Sequence, residues 1–301
     1  MLRRDFPSSP HVVSFPGANA ASAPAPLVEN GGDAMNDRVE ERGARALTGN
    51  PDHERRARAA ARALVHARLR HELRMTVAGA DDARVPDFPG AGRAAERLFT
   101  IPAYRDARCI MVGAEAPQRF VRRLALERGV RVLVPTPGLV DGFHLLAPEV
   151  LARDDIGEAS ELGTMPFYSR CLDVDALPAV DAIVLGSHAV TPRGQRCGAS
   201  DGYPALGWGV LAELGHEPVP VATTVHELQL VDGFASDPRE AGLDWIVLPA
   251  SIIEVRDPPA APRGIAWQGL SKQEIDATPI LSLLKDFVDS GRRWRGLTAK
   301  D

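Results

Sequence analysis

The sequence contains few cysteines, no long apolar run and no excess of positive charge. Its three cysteines, Cys109, Cys171 and Cys197, form no Cys-x-x-Cys pair, which argues against a disulfide scaffold or a zinc site and indicates a reducing compartment. No stretch approaches the roughly 18 consecutive apolar residues that a membrane-spanning helix needs. The formal net charge of −5 gives no general attraction to DNA or anionic lipid. We therefore expect a cytoplasmic protein that binds neither DNA nor membranes.

A zinc-peptidase motif and the common nucleotide-binding motifs are also lacking. His226-Glu227 could begin a His-Glu-x-x-His motif, but residue 230 is leucine. The chain has no Gly-x-x-x-x-Gly-Lys-Ser/Thr loop and no clean Gly-x-Gly-x-x-Gly fingerprint. Motif matching alone therefore assigns no reaction.

Composition divides the chain into three parts. Residues 1–50 are rich in proline, alanine, glycine and asparagine and lack hydrophobic periodicity, which predicts a disordered tail. Residues 51–290 carry patterns typical of helices and strands, which predicts one α/β domain. Residues 291–301 read as a short polar tail.

The central region predicts helices alternating with short apolar strands. Pro51 and Asp52 supply a helix start, and residues 55–74 form an arginine-rich helix whose apolar face holds Leu64, Val65, Leu69 and Leu73. Continuous apolar strands separated by helices predict a three-layer, Rossmann-like α/β fold, a mostly parallel sheet with helices on both faces. Ligands bind such sheets at the carboxyl ends of the strands. The predicted strands are residues 109–112, 130–134, 181–185, 219–225 and 245–248, and further helices are predicted at 117–128 and 203–214.

The segment 186–203 leads from a predicted strand into a predicted helix and carries the most chemistry. Gly198 and Gly202 would let a ligand approach the backbone closely, and the helix start favours anions. Arg193 and Arg196 add positive charge suited to phosphate oxygens. From these residues alone, a plain turn and a phosphate-binding loop remain equally compatible with the sequence.

Several blocks in a fixed order resemble one known family. Residues 181–187 read Asp-Ala-Ile-Val-Leu-Gly-Ser, and residues 196–205 read Arg-Cys-Gly-Ala-Ser-Asp-Gly-Tyr-Pro-Ala. These segments resemble the strand and the Arg-hydrophobe-Gly-x-Gly-x-Gly-Tyr-Tyr/Ala-Asp loop of 5-formyltetrahydrofolate cyclo-ligases, also called methenyltetrahydrofolate synthetases. The resemblance covers about residues 54–270 and is closest to the divergent branch of methenyltetrahydrofolate synthetase domain-containing proteins. Further matching blocks lie at 86–91, 133–137, 224–232, 243–249 and 262–267.

The resemblance implies ATP- and Mg²⁺-dependent conversion of a reduced folate, 5-formyltetrahydrofolate, to 5,10-methenyltetrahydrofolate. In the family, ATP phosphorylates the formyl oxygen before the ring closes. Arg58 and Arg62 match the first-helix pair that holds the triphosphate, and their i, i+4 spacing places them on one helix face. Arg196 and Glu115 are the implied catalytic residues, and Glu240 is the implied metal ligand. The remaining implied residues are Arg193, Gly198, Ser200, Gly202 and Tyr203 for the nucleotide, and Pro135, Thr136, Pro137 and Gln229 for the folate.

Two departures from the family pattern leave other functions open. Ser200 replaces the middle glycine of the loop, and Ala205 replaces an aspartate expected to help hold Mg²⁺. The first alternative is a divergent relative that acts in folate- or thiamin-linked metabolism without this cyclisation. The second is an RNA-associated protein, suggested by the branch and by the arginine-rich helix. The negative net charge and the lack of an RNA-recognition aromatic motif weigh against RNA.

Overall fold

The computed structural model describes residues 12–13, 51–75, 84–198, 203–234, 237 and 239–290. Within these ranges the strands form a nine-stranded sheet and a separate two-stranded hairpin. The strands of the large sheet are β1 (Val12–Val13), β2 (Cys109–Val112), β3 (Arg131–Pro135), β4 (Phe143–Leu146), β5 (Arg170–Leu172), β6 (Ala182–Val184), β9 (Val221–Thr224), β10 (Trp245–Val247) and β11 (Ile252–Glu254), and the hairpin is β7 (Ala189–Val190) with β8 (Arg196–Cys197).

Eight α-helices lie within the described ranges, several of them only one or two turns long. The first helix is the longest and lies between β1 and β2 in the chain. The helices are α1 (Pro51–Glu72), α2 (Ala91–Leu98), α3 (Pro102–Arg105), α4 (Arg119–Glu127), α5 (Ile156–Ala159), α6 (Tyr203–Glu213), α7 (Lys272–Ala277) and α8 (Pro279–Asp289). None of these helices has the length and apolar character needed to cross a membrane.

The sheet has a parallel centre with antiparallel additions on both sides. Its order is β1-β11-β10-β9-β6-β2-β3-β4-β5, and the five strands from β10 to β3 are parallel. The chain passes from β2 to β3 on one side and then to β6 on the other, so the topological switch point lies between β2 and β6. Ligands of open α/β sheets bind beyond the carboxyl ends of the strands at such a point.

The predicted mostly parallel sheet is confirmed, but its antiparallel strands β4, β5 and β11 were not predicted. Each of them is only three or four residues long. Such strands are hard to predict, because a short apolar run does not show which strand it will pair with.

Alternating side chains of the central strands create two cores, one on each face of the sheet. On β2, Ile110 and Val112 pack with α2, α3, α4 and α5, whereas Cys109 and Met111 face the opposite core with α6 and α8. Helices therefore cover both faces, which confirms the predicted three-layer architecture. Burial raises the pKa of the Cys109 thiol to about 12, as expected for an inert core cysteine.

Helix α1 packs against the β7–β8 hairpin rather than against the main sheet. Val65 and Leu69 are fully buried there with Cys197 of β8. The prediction that Leu64 also faces the core is wrong, because its side chain is 46% exposed. The buried positions follow the i, i+4 row that includes Ala61, and Leu64 lies beside that row.

Two residues of the predicted tail belong to the sheet. Val12 and Val13 pair in parallel with Ile252 and Ile253 of β11, so the structure differs here from the predicted disorder. Two consecutive β-branched residues favour extended backbone. The rest of residues 1–50 and residues 291–301 lie outside the described part of the chain.

The buried Tyr104 hydroxyl offers a test of the packing between α3 and the sheet. It lies 3.0 Å from the carbonyl oxygen of Ile183 and 3.2 Å from that of Pro220. Replacement of Tyr104 by Phe removes the donor and is expected to cost about 1–2 kcal/mol in the free energy of unfolding. Urea denaturation measures this loss. Tyr168→Phe is the matched control, since its hydroxyl donates to Glu158 at an exposed position, and an equal loss in both variants would contradict the prediction.

Candidate functional site

The site is built around the turns that follow β2 and β6 at the switch point. The Gly113 N–H, after β2, donates to the carbonyl oxygen of Val184 at the end of β6, at 2.8 Å. The Glu115 side chain fills the space between these turns. A Cβ atom on Gly186 would lie 2.7 Å from two carbon atoms of Glu115. Glycine at 186 therefore allows this carboxyl group to be buried at the strand ends.

Arg196 of β8 connects these turns to the rest of the site. Its side chain is 0% exposed, and its Nε and Nη2 atoms donate to the carbonyl oxygen of Gly186 at 3.1 and 2.7 Å. Its Nη1 atom donates to Glu240, and its Nη2 atom lies 3.9 Å from Oε1 of Glu115. The other oxygen of Glu240 accepts the Gly198 N–H at 3.2 Å. The guanidinium group of Arg196 thus connects the end of β6, two acidic side chains and Gly198, the first residue of the glycine loop (residues 198–202).

Burial shifts the pKa values of this cluster. Burial raises the pKa of both Glu115 and Glu240, and in each case the charge of Arg196 opposes the rise. Arg122 of α4 donates to the carbonyl oxygens of Ser160 at 2.8 Å and Gly113 at 2.6 Å, and burial lowers its pKa to about 10. Two buried arginines therefore balance two buried carboxyl groups behind the strand ends.

A cavity of about 340 Å³ lies beside this cluster, between α1, α6 and the segment that precedes β10. One part of its wall is charged, and another part is apolar or glycine. The charged lining residues are Arg55, Arg58, Arg62, Arg239, Asp237, Glu240 and Glu274, and the others include Cys197, Gly198, Ala205, Leu206, Ile265 and Leu270.

Two of the cavity arginines bind Asp237. Nη2 of Arg58 lies 3.0 Å from Asp237, and Arg239 donates to both oxygens of Asp237 at 3.0 and 2.8 Å. Burial raises the pKa of Asp237, but the hydrogen bonds and charges of Arg239 and Arg58 lower it more, so the net shift is downward. Nη1 of Arg58 is buried and has no hydrogen-bond partner among the described residues. The cavity therefore holds an ionised carboxylate and a cationic donor without an acceptor.

The structure brings several of the residues implied by the resemblance together. Arg58, Arg62, Gly198 and Glu240 line the cavity. Arg196 and Glu115 lie directly behind it, with their polar atoms directed into the buried cluster.

Other implied residues lie away from the cavity or outside the described part of the chain. Arg193 is exposed in the turn of the hairpin and does not line the cavity. Ser200 and Gly202 lie outside the described residues. Tyr203 is described only as the first residue of α6.

The residues implied for the folate take part in local bonding instead of lining the cavity. Pro135 ends β3, Pro137 begins the next turn, and the Thr136 hydroxyl donates to the carbonyl oxygen of Gly142 at 3.0 Å. Gln229 is fully buried. Its amide nitrogen donates to the carbonyl oxygen of Ser187 at 2.7 Å, and its amide oxygen accepts the His226 N–H at 2.8 Å.

Sequence reasoning missed Asp237, Arg239 and the segment 264–274 as cavity residues. Asp237, Arg239 and Glu240 form a charged group just before β10, which is a visible signal. Their pairing with α1 depends on the packing of α1 against the hairpin, which no local pattern reveals.

The described carboxylates do not fit a protein-held Mg²⁺ ion. Ala205 offers no ligand, both oxygens of Glu240 accept hydrogen bonds, and Asp237 is bound by two arginines. Among the described residues, no three His, Cys, Asp or Glu side chains are grouped to hold a metal ion. Mg²⁺ prefers several free oxygen ligands in octahedral geometry.

Sequence comparisons with known proteins identify one family. The 5-formyltetrahydrofolate cyclo-ligase family model matches residues 56–249. A methenyltetrahydrofolate synthase domain-containing protein from Bos taurus is 35% identical over 209 residues, which cover 67% of this chain and 55% of the relative. The corresponding Mus musculus protein is 35% identical over 211 residues, with 67% and 56% covered. The chain thus spans about half the length of these relatives. The NMR structure of Aquifex aeolicus 5,10-methenyltetrahydrofolate synthetase aligns with a TM-score of 0.42 and 14% identity, covering 67% of this chain and 95% of that one.

Because Arg196 is buried, we expect its replacement to lower the free energy of unfolding by an amount that depends on pH. Arg196→Met leaves Glu240 and Glu115 without their cation, so we expect a loss of about 3–5 kcal/mol in unfolding free energy at pH 7. Both carboxyl pKa values then rise further above the ordinary glutamate value. A carboxyl group with a raised folded-state pKa stabilises the protein at low pH and loses that contribution as pH rises. The loss should therefore be smaller at pH 5 than at pH 7.

Urea unfolding at the two pH values measures this difference. Arg123→Met is the control, since Arg123 forms an exposed i, i+4 pair with Glu127 at 2.8 Å and should change stability by less than about 0.5 kcal/mol. A loss for Arg196→Met that is small, or equal at both pH values, would disprove the structural role.

Proposed function

Since the chain belongs to the 5-formyltetrahydrofolate cyclo-ligase family, we propose that it converts 5-formyltetrahydrofolate to 5,10-methenyltetrahydrofolate with ATP. The observation that supports this most is the arginine-lined cavity at the glycine loop. Arg58 and Arg62 of α1 line it together with Gly198. It lies beside the strand ends at the switch point, where an α/β sheet binds its ligands.

The proposed reaction activates a poor leaving group by phosphorylation. The formyl oxygen of the folate attacks the terminal phosphorus of ATP, and ADP leaves. The second folate nitrogen then attacks the formyl carbon and closes the ring. The bond from that carbon to its oxygen breaks, and the oxygen leaves as part of inorganic phosphate, which also takes up the proton of the attacking nitrogen.

The arginines of the cavity have the chemistry that the first step needs. Guanidinium groups donate charge-assisted hydrogen bonds to phosphate oxygens and balance charge during phosphoryl transfer. Arg62 is well placed for this role, because its Nη1 atom contacts only the weak acceptor Sγ of Cys197, at 3.8 Å, in the described hydrogen bonding. Arg239 also lines the cavity.

The buried cluster fixes the position of Gly198. Glu240 holds the Gly198 N–H, and Arg196 holds Glu240, so the first residue of the loop is fixed to the end of β6. Preorganised groups lower a barrier because their positions need no adjustment during the reaction. The family resemblance implies Mg²⁺ as well, but the described carboxylates do not fit a protein-held ion, and no step is assigned to it.

The test is a coupled measurement of folate product and ADP with purified full-length protein, 5-formyltetrahydrofolate, ATP and Mg²⁺. We expect ATP-dependent 5,10-methenyltetrahydrofolate, separated by chromatography, together with equimolar ADP. Arg62→Ala should lower kcat/KM for ATP by roughly 10- to 150-fold, the equivalent of one charge-assisted contact.

Arg56→Ala is the matched control, because Arg56 lies on the same helix but is exposed and does not line the cavity. It removes the same charge and should leave kcat/KM within about twofold. ATP binding without any folate product would refute the proposed cyclisation.

A further inference from the structure

We infer that the cavity holds a polyphosphate chain through arginine side chains, without a divalent cation bound by the described carboxylates. This inference rests on the proposed function, because ATP carries such a chain. It departs from the expectation, implied by the resemblance, that Glu240 is a ligand of Mg²⁺. The way in which the cavity neutralises an anion can be tested without folate or nucleotide.

Each carboxylate that lines the cavity in the described part of the chain already accepts hydrogen bonds from within the protein. Glu240 accepts hydrogen bonds from Arg196 and the Gly198 N–H. Asp237 accepts from Arg239 and pairs with Arg58. Glu274 accepts the Ser271 N–H at 2.7 Å, where it caps the start of α7. A divalent cation would have to displace these donors and then lie next to the same arginines, which repel it.

The positive side of the cavity retains binding capacity. Nη1 of Arg58 is buried, and the described residues give it no acceptor. A buried donor without an acceptor is unfavourable, so an anionic oxygen at this point would gain a strong hydrogen bond. Arg62 lies one helical turn further along α1 and also lines the cavity. Two guanidinium groups at this spacing suit two successive phosphate groups of one chain.

Asp237 occupies a position where a phosphate oxygen would also bind. It pairs with Arg58 at 3.0 Å and accepts from Arg239 at 3.0 and 2.8 Å. If arginines neutralise the ligand, Asp237 competes with it, and removal of the negative charge strengthens binding. If Asp237 were a metal ligand, the same substitution would weaken binding in the presence of Mg²⁺. The two models therefore predict opposite changes in affinity when the charge of Asp237 is removed.

The experiment is a calorimetric titration of inorganic tripolyphosphate into the full-length protein, first with EDTA and then with Mg²⁺. We expect binding in EDTA and no tightening by Mg²⁺. Asp237→Asn should increase the affinity in EDTA at least about threefold, and Arg58→Ala should decrease it at least about tenfold. Arg56→Ala, exposed on the same helix, should stay within about twofold.

Several results would overturn the inference. These are binding that requires Mg²⁺, no binding in either buffer, or weaker binding by Asp237→Asn with Mg²⁺ present. A Mg²⁺ requirement would direct attention to Asp201, which lies outside the described residues. If a variant fails to fold, as judged by its thermal melt, the wild-type comparison of the two buffers still decides. The folate assay can fail while tripolyphosphate still binds, so failure of the proposed function and failure of this inference are distinguishable.

Discussion

The rest of the site depends on the burial of one guanidinium group, that of Arg196. A fully buried cation is stable only when acceptors surround it. Its acceptors are the Gly186 carbonyl oxygen and Glu240, with Glu115 nearby. The same group restricts its neighbours, because a Cβ atom on Gly198 would lie only 2.5 Å from its Nη2 atom. Glycine is thus needed at 198 because a side chain there would collide with Arg196. This adds to the argument from sequence that glycine lets a ligand approach the backbone.

The fold brings the cavity arginines to this cluster through a helix that is not part of the main layers. Helix α1 is fixed to the hairpin by Val65 and Leu69, by the His66–His188 contact at 3.1 Å and by the bond from Arg68 to the Leu230 carbonyl oxygen at 3.0 Å. These contacts set the rotation of α1 about its axis. Because Arg58 and Arg62 lie one turn apart on the same helix, that rotation directs both of them toward Gly198.

Much of the architecture could be predicted from sequence because its central strands are continuous apolar runs. The strand at Cys109–Val112 was predicted with its observed bounds, and the helix beginning at Pro51 with its observed start. The antiparallel strands could not be predicted, since they depend on pairing partners rather than on local pattern.

Within the site, the resemblance identified Arg58, Arg62, Gly198 and Glu240, all of which line the cavity. The resemblance does not show in which direction each side chain points. Gln229 is adjacent to family-like residues in the chain, yet both polar ends of its amide bond to backbone atoms. Sequence shows which residues are near one another along the chain, whereas the choice between lining a cavity and bracing a turn depends on the direction of each side chain.

The departure from the family pattern at Ala205 is physically connected to the bonding of Glu240. Ala205 is buried on α6 and lines the same cavity as Glu240. A hard cation needs several oxygen ligands at once, and the alanine at 205 supplies none. A buried glutamate needs a positive partner, and Arg196 is that partner of Glu240. The alanine at 205 and the pairing of Glu240 with Arg196 therefore both support the proposal that arginines, rather than a protein-held cation, neutralise the ligand in this cavity.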